Sequence, residues 1–290
     1  MKLFFRDLTE EDIPAILAIS RDIWEGDDYI PDVIERWLNE KGNLAYGAFL
    51  DEAKQELIGL GRVKMFSNGI AWLEGGRVKI THQKQGIGRV LMKYAIDYAI
   101  QAGAKVAQYD TSSRNFGSKA LAKFHGFEEK KRMEVLECKV NELSLKEYKF
   151  SDIRKISNDE AKKVYPRMDI APGNEINIGW SYIPLSSLED KNSVWLTNSR
   201  AILQKRDMGS RDIPEKPSER EIWIIVYGTP EAALELISYT LSVEIDNNEI
   251  DLVELYCKAE VVEYVKELGF EDPSWEDEPV AVVLYEKKLK

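Results

Sequence analysis

Two stretches far apart in this chain read alike. Residues 109–129 are YDTSSRNFGSKALAKFHGFEE and residues 255–272 are LYCKAEVVEYVKELGFED. Each is the end of a strand, then a helix, then a Gly-Phe-Glu that closes the helix and enters the next strand. Gly126 and Gly269 suit the left-handed position that ends a helix. The runs around them also agree in order and spacing. The first half closes with helix 86–101, strand 104–111, helix 115–125 and strand 129–140. The second closes with helix 230–243, strand 250–257, helix 259–268 and strand 280–289. A repeat of this size predicts two copies of one architecture. A chain of 290 residues has room for them at about 150 residues per domain. The expected domains are 1–140 and 146–290, divided in the polar stretch after Val140.

The first copy is predicted in full. Strand 2–6 leads to a helix that Thr9 caps, with Glu10, Glu11 and Asp12 in its first turn. Pro31 opens a second helix that runs through Leu38. Strands over 44–50, 56–65 and 70–80 follow, separated by the turn-prone DEAKQ and SNG. The fold class is α/β, a mixed sheet flanked by helices. The second copy shows less of its beginning, and the charged, proline-containing segment 205–221 reads as a long loop before strand 222–227.

Chemistry concentrates in residues 75–89, GGRVKITHQKQGIGR. A strand runs into Gln83-x-x-Gly86-x-Gly88, and a helix begins at once. Its first backbone N–H groups have no intrahelical acceptor, and the helix dipole favours negative charge there. Glycines let a ligand come close to the backbone. The product is a cradle for a pyrophosphate. From Gly75 through Ile96 there are five basic residues and no acid, within a chain whose net charge is -11. This local reversal steers an anion to the loop. The Walker pattern GxxxxGK[ST] is absent. The dinucleotide pattern GxGxxG also fails, because its third glycine would fall on Leu91.

The acidic balance argues against nucleic acid and against an anionic membrane surface as partners. No apolar run is long enough for a bilayer, and the amino terminus turns acidic too early for a signal peptide. Two cysteines and two histidines do not make a typical zinc site. Cys138 and Cys257 read as buried thiols of a cytoplasmic protein.

Residues 1 to about 138 resemble the GNAT superfamily of acetyl-CoA-dependent N-acetyltransferases. Three segments carry the resemblance. They are FRDLTEEDI near the start, the family pattern [QR]-x-x-G-x-[GA] at Gln83–Gly88, and N-x-x-S-x-x-L-x-x-x-x-GF at Asn115–Phe127. The segment IWEGDDYIPDVIERWL adds a likeness to histidine N-acetyltransferase-like members.

The resemblance implies acetyl-CoA as cosubstrate and no metal. The coenzyme's pyrophosphate would lie on the backbone of Gln83, Lys84, Gln85, Gly86, Ile87, Gly88 and Arg89. Its pantetheine would lie along Val78, Lys79 and Ile80, with Asn115 beside the arm. Glu74 would be the general base. It shares a face with Gly76 and Val78 if the strand has no bulge, and a backbone N–H near Gly76 and Val78 would serve the thioester oxygen. The acidic loop of Glu25, Asp27 and Asp28, with Tyr29, would receive the acceptor amine. The tyrosine that many members place seven residues after the asparagine is here Ala122. Tyr94 and Tyr109 are the nearest phenols by sequence.

The second copy has no such loop. Its turn is Tyr227-Gly228-Thr229-Pro230, and proline removes an N–H donor, so this copy is expected to be a degenerate GNAT-like domain. The implied activity is N-acetylation of a primary amine on a small molecule such as an amino acid, by a monomer or homodimer. Two alternatives stand beside it, a protein N-terminal or lysine acetyltransferase and a non-catalytic acyl-CoA sensor.

Overall fold

The computed structural model describes residues 2–23, 28–145, 150, 152–168, 174–189, 193–211, 219–247, 250–273 and 279–290. They form two compact units. One holds residues 1–110, 116–130 and 284–290, the other 111–115 and 131–283. Neither is one continuous stretch, so the division expected after Val140 follows chain order and not packing. Most of the last strand of the chain belongs to the first unit. Most of the strand that ends the first half belongs to the second.

In the first unit the strands are β1 (Phe4–Asp7), β2 (Leu44–Phe49), β3 (Leu57–Met65), β4 (Ile70–Val78) and β5 (Val106–Ser112). They lie side by side in that order, and the carboxyl-terminal β14 (Ala281–Lys288) follows β5. β1 to β4 pair antiparallel, whereas β4 and β5 are parallel. The Leu289 N–H donates to the Lys105 carbonyl at 2.9 Å. Tyr285 stacks on buried Tyr109 with ring centroids 5.4 Å apart.

Helices α1 (Ile13–Ser20) and α2 (Ile30–Asn39) contribute Ile16, Ile19, Ile30, Ile34 and Trp37 to a core with Leu8, just past β1, and with Phe49, Leu57 and Leu60 of the sheet. The entry to α1 follows the expected capping chemistry. Thr9 and Asp12 form a capping box, and Arg6 holds both Asp12 oxygens at 2.7 and 2.8 Å. α3 (Ile87–Gln101) meets the sheet through Tyr46, whose hydroxyl donates to the Leu91 carbonyl at 3.0 Å. α4 (Phe116–His125) leads into β6 (Glu128–Lys139).

The second unit repeats this plan. Its strands are β7 (Arg154–Ile156), β10 (Ser193–Thr197), β11 (Ala201–Arg211), β12 (Glu219–Gly228) and β13 (Leu252–Cys257), with β6 beyond β13. β12 and β13 are parallel and the other neighbours antiparallel. Strand for strand this is the order of the first unit, with the same senses from β7 to β13 as from β1 to β5 and with β6 in the place that β14 takes there. α6 (Pro230–Asn247) and α7 (Ala259–Lys266) supply Leu236, Ile237, Leu241, Val261 and Val265 to its core. A small pair, β8 (Glu175–Asn177) and β9 (Tyr182–Pro184), and α5 (Asn158–Met168) complete it.

The two Gly-Phe turns are equivalent in detail. Gly126 and Gly269 have φ of 71° and 98°. The following N–H reaches back five residues in both, from Phe127 to Ala122 at 2.9 Å and from Phe270 to Val265 at 3.4 Å. That pair is the helix-ending bond of a Schellman turn.

One expectation is overturned. Segment 205–221 is not a long loop, because residues 205–211 and 219–221 pair as strand in β11 and β12. The charged residues that hid the strands hold them in register: Arg220 Nη2 donates to Asp207 Oδ2 at 2.7 Å across the pair. Residues 212–218 lie outside the described chain.

Candidate functional site

The site is built on a break in β4. Arg62 of β3 faces Glu74 and Leu60 faces Arg77, so Gly61 stands opposite both Gly75 and Gly76. This is a β-bulge with Gly75 in the left-handed region, φ 65°. The bulge changes the parity of the strand, so the alternation expected for an unbulged strand fails. Glu74 and Arg77, three residues apart, share the face that Leu60 lays against α1 and α2. Val78 pairs with Gly59, whose face meets Leu91 of α3. Glu74 and Val78 therefore point to opposite sides.

Gly75 is required twice over. A Cβ there would lie 2.5 Å from the Trp37 ring, and its φ is unfavourable for an L side chain. Gly75→Ala is expected to lower stability by about 1–3 kcal/mol, read as a fall in the thermal midpoint. An unchanged midpoint would mean that the bulge can relax.

The bulge coincides with a parting of strands. The parallel register of β4 with β5 covers Ile70↔Val106 to Trp72↔Gln108, while both strands run on to Val78 and Ser112. Beyond Trp72 the edge of β4 is open toward β5. Gly76 sits there, exposed, with no atom within 4 Å of where a Cβ would be.

After β4 the chain makes a short 3-10 turn, Ile80–His82, and reaches the glycine loop. The Gln83 amide donates to the Val78 carbonyl at 3.1 Å and that of Gln85 to Thr81 at 3.4 Å. These side chains brace the loop from below. Lys84 and Gly86 both lie in the left-handed region, φ 60° and 82°, and Gln85 between them does not. Such alternation turns successive amides toward one concave side. Gly86 caps α3 without a side-chain bond, so the amides of Ile87 and Gly88, in the first turn, lack an intrahelical acceptor, while that of Arg89 donates to the Gly86 carbonyl at 3.1 Å. A second cleft of about 380 Å³, lined by Gln85, Gly86, Arg89, Lys93, Phe124 and His125 among others, adjoins this end of α3. Lys79 is tied to Glu56 at 3.2 Å and Ile80 is exposed. Asn115 immediately precedes α4.

Glu74 borders a cleft of about 260 Å³ with Tyr29, Val33, Arg36, Trp37, Glu40, Arg62 and Lys64. Arg62 organises it. Its side chain is 3% exposed, it donates to both Glu74 and Glu40, and its guanidinium lies 4.9 Å from the Trp37 ring centre. Burial raises the proton affinity of Glu74 above the ordinary carboxyl value, and the Arg62 charge pulls the other way without cancelling it. This is the direction that suits a general base. Tyr29 lies edge-on to Trp37 at 6.1 Å, with the Arg77 guanidinium 5.2 Å from its ring centre. Partial desolvation raises the proton affinity of its phenol, although 40% of the residue is exposed, so it remains a hydrogen-bond donor at neutral pH.

Glu25 and Asp27 fall outside the described residues. Asp28 is not open to an amine: its side chain is 1% exposed and both oxygens are held by Arg77, at 2.8 and 3.1 Å. It also receives the Ile30 N–H at the start of α2. Asp28 thus anchors α2 to β4, and of the two acids that line the cleft Glu40 is more exposed than Glu74. Neither sequence-nominated phenol reaches the cleft. Tyr109 donates to the Ser118 carbonyl at 3.0 Å, and Tyr94 stacks on Phe5 at 4.2 Å. Ala122 is buried. Sequence reasoning missed Arg62, Glu40 and Arg36. Only the register of β3 with β4 and the face of α2 bring them to Glu74.

The second unit lacks both features. β12 passes to α6 through Thr229 alone, where the first unit has residues 79–86. A Cβ on Gly228 would lie 2.3 Å from the Arg200 carbonyl oxygen, so β11 fills the space a ligand would need. β12 stays paired with β13 from Glu221↔Leu252 to Ile225↔Tyr256.

Comparison with known proteins agrees with this geometry. Residues 13–127 match the acetyltransferase (GNAT) family. A histidine N-acetyltransferase of Scomber australasicus is 33% identical over 96 residues, which are 33% of this chain and 28% of that protein. Among solved structures, a GCN5-related N-acetyltransferase from Sphaerobacter thermophilus superposes with a TM-score of 0.60 at 14% identity, covering 99% of this chain and 95% of that one. A tandem GNAT protein from the clavulanic acid biosynthesis pathway gives 0.58 at 11% identity, covering 99% and 98%. The fold laid out twice is that of the solved structures, and the glycine loop that opens α3 falls inside residues 13–127, the part of the chain that matches the acetyltransferase (GNAT) family.

Proposed function

We propose that this protein transfers an acetyl group from acetyl-CoA to the primary amine of a small molecule, and that the first unit carries the reaction. The observation that supports this most is the position of Glu74. It is half-buried in a cleft, on a bulged strand whose far edge is open and whose end feeds an amide-lined loop. The partial likeness to a histidine N-acetyltransferase favours an amino acid as acceptor.

The residues fit the coenzyme. The left-handed Lys84 and Gly86, the uncapped start of α3 and the basic residues around them suit a pyrophosphate. The open edge of β4 from Leu73 to Val78 offers backbone groups to an extended arm. The bound coenzyme supplies an acetyl thioester, whose C–S bond breaks as the amine's C–N bond forms. The protein's part is to position the amine and take its proton. An ammonium cannot attack, so Glu74 accepts the proton, directly or through one water. Arg62 holds the Glu74 carboxylate in place and limits how far its proton affinity rises. A backbone N–H at the bulge, near Gly76, would donate to the thioester oxygen, a reading supported by the exposure of Gly76 on the open edge of β4. Ala122, seven residues after Asn115, has no proton to give the departing sulfur, which leaves readily as a thiolate.

Calorimetry of the intact chain with acetyl-CoA tests the first step. One site per chain is expected, and Gly86→Trp should weaken binding by at least about tenfold, since φ 82° resists a side chain. Two sites would give the second unit a role that its Gly228–Pro230 turn does not support. No binding would overturn the assignment of the loop. A panel of amines with the wild-type protein then reads turnover. Tight coenzyme binding without turnover of any amine would favour a sensor of acyl-CoA over an enzyme.

A further inference from the structure

The cleft beside Glu74 holds more positive than negative charge. Arg36, Arg62 and Lys64 face two acids, Glu40 and Glu74. Arg62 is committed to both carboxylates, and Lys64 Nζ stands 3.6 Å from Glu40. Arg36 is different. It lies on the exposed side of the last turn of α2, one helical turn before Glu40, and makes no ion pair among the described residues. A lone guanidinium on a cleft wall repels a bare ammonium. It also offers the planar pair of donors that a carboxylate matches.

We infer that Arg36 receives a carboxylate of the acceptor while the amine of the same molecule is addressed to Glu74. The substrate class is then free amino acids and other amines that carry a carboxylate. Polyamines, amino sugars and the α-amines of peptides lack that group beside the amine. The charges balance on this assignment: a zwitterion brings one charge of each sign to a cleft that has an acid at one wall and an unmatched base at another. Trp37 and Tyr29, flanking Arg36 and Glu74, give the remaining side chain an aromatic wall. The inference rests on the proposed acetyl transfer and narrows its acceptor.

The test pairs an amino acid with its own carboxamide and with the corresponding decarboxylated amine, on the full chain. The wild type should prefer the amino acid by at least about tenfold in kcat/KM, the worth of a hydrogen-bonded charge pair. Arg36→Met should raise KM for the amino acid by about 10- to 100-fold, with the loss falling on the carboxylate substrate and not on its carboxamide. Arg36→Lys should recover part of it. Calorimetry of the amino acid against protein saturated with coenzyme A should show the same loss of affinity in Arg36→Met.

Equal use of the carboxamide, or an Arg36→Met protein with the wild-type preference, would overturn the inference and leave acetyl transfer standing. If no amine is acetylated, the acetyl-transfer reading fails, and the calorimetric arm still decides the site. Amino-acid binding lost with Arg36 supports it, and no amino-acid binding to the wild type overturns it.

Discussion

A chain that stops at residue 140 will not hold the first unit together. Residues 284–290 belong to that unit, and β14 lies against β5. Cutting them away opens the edge of β5 as an unpaired row of backbone groups. It removes Tyr285 from its stack on Tyr109. It also removes Glu286, which receives the Gln108 amide at 2.7 Å and the Lys130 ammonium. Gln108 is fully buried, so losing this acceptor is costly in itself. Loss of one buried aromatic side chain costs about 3–5 kcal/mol, against a total stability of about 5–15 kcal/mol for a domain. Loss of the whole strand exceeds what such a domain can bear.

Fragment 1–140 should therefore lack a cooperative thermal transition and should not bind acetyl-CoA, although it contains the entire glycine loop. Tyr285→Ala in the full chain is the milder version. It should fold, with stability lowered by about 3–5 kcal/mol. A fragment that melts cooperatively and binds coenzyme would show that β14 is dispensable to the unit it joins.

This exchange of last strands is what the sequence could not show. The repeat itself was legible, because its signals are local: a helical stripe, a Gly-Phe turn, a strand. Both copies of the turn carry the same backbone bond in the structure. Yet each copy's final strand reads as a strand whichever sheet it joins. Nothing in residues 128–139 or 281–288 states which partner they choose, since pairing is a long-range decision.

The short strands β7 to β10 and the charged β11 were also hidden. Strands of three to five residues have no readable period, and charged residues that pair across strands look like a loop when read singly. At the site, the glycine loop was legible for the same local reasons. The bulge at Gly75 was not, because alternation along β4 reads equally well with or without it. Asp28 illustrates the opposite error. An acid next to aromatic residues resembles an amine site in sequence, but in the fold Arg77 already occupies it.

Glu74→Gln should leave acetyl-CoA affinity unchanged and reduce kcat/KM at neutral pH by about 10²- to 10⁴-fold, the usual worth of a positioned base. The pH profile gives the sharper reading. Burial raises the Glu74 proton affinity above its ordinary value, and the base is active only when deprotonated. The wild-type rate should fall as pH drops through that raised value, which places the acid limb above the usual carboxylate range. The glutamine variant has no such group, so only the amine's own titration remains, and its deficit should shrink as pH climbs toward the amine's pKa.

Arg62 supplies a control with a predicted sign. Its charge and hydrogen bond hold the Glu74 proton affinity down, so Arg62→Gln should move the acid limb to higher pH. A merely structural Arg62 would lower stability and leave the limb where it is. A Glu74→Gln protein with the wild-type profile would remove Glu74 from the proton transfer. The remaining carboxylate of the cleft, Glu40, exposed over 36% of its side chain, would then be the group to replace next.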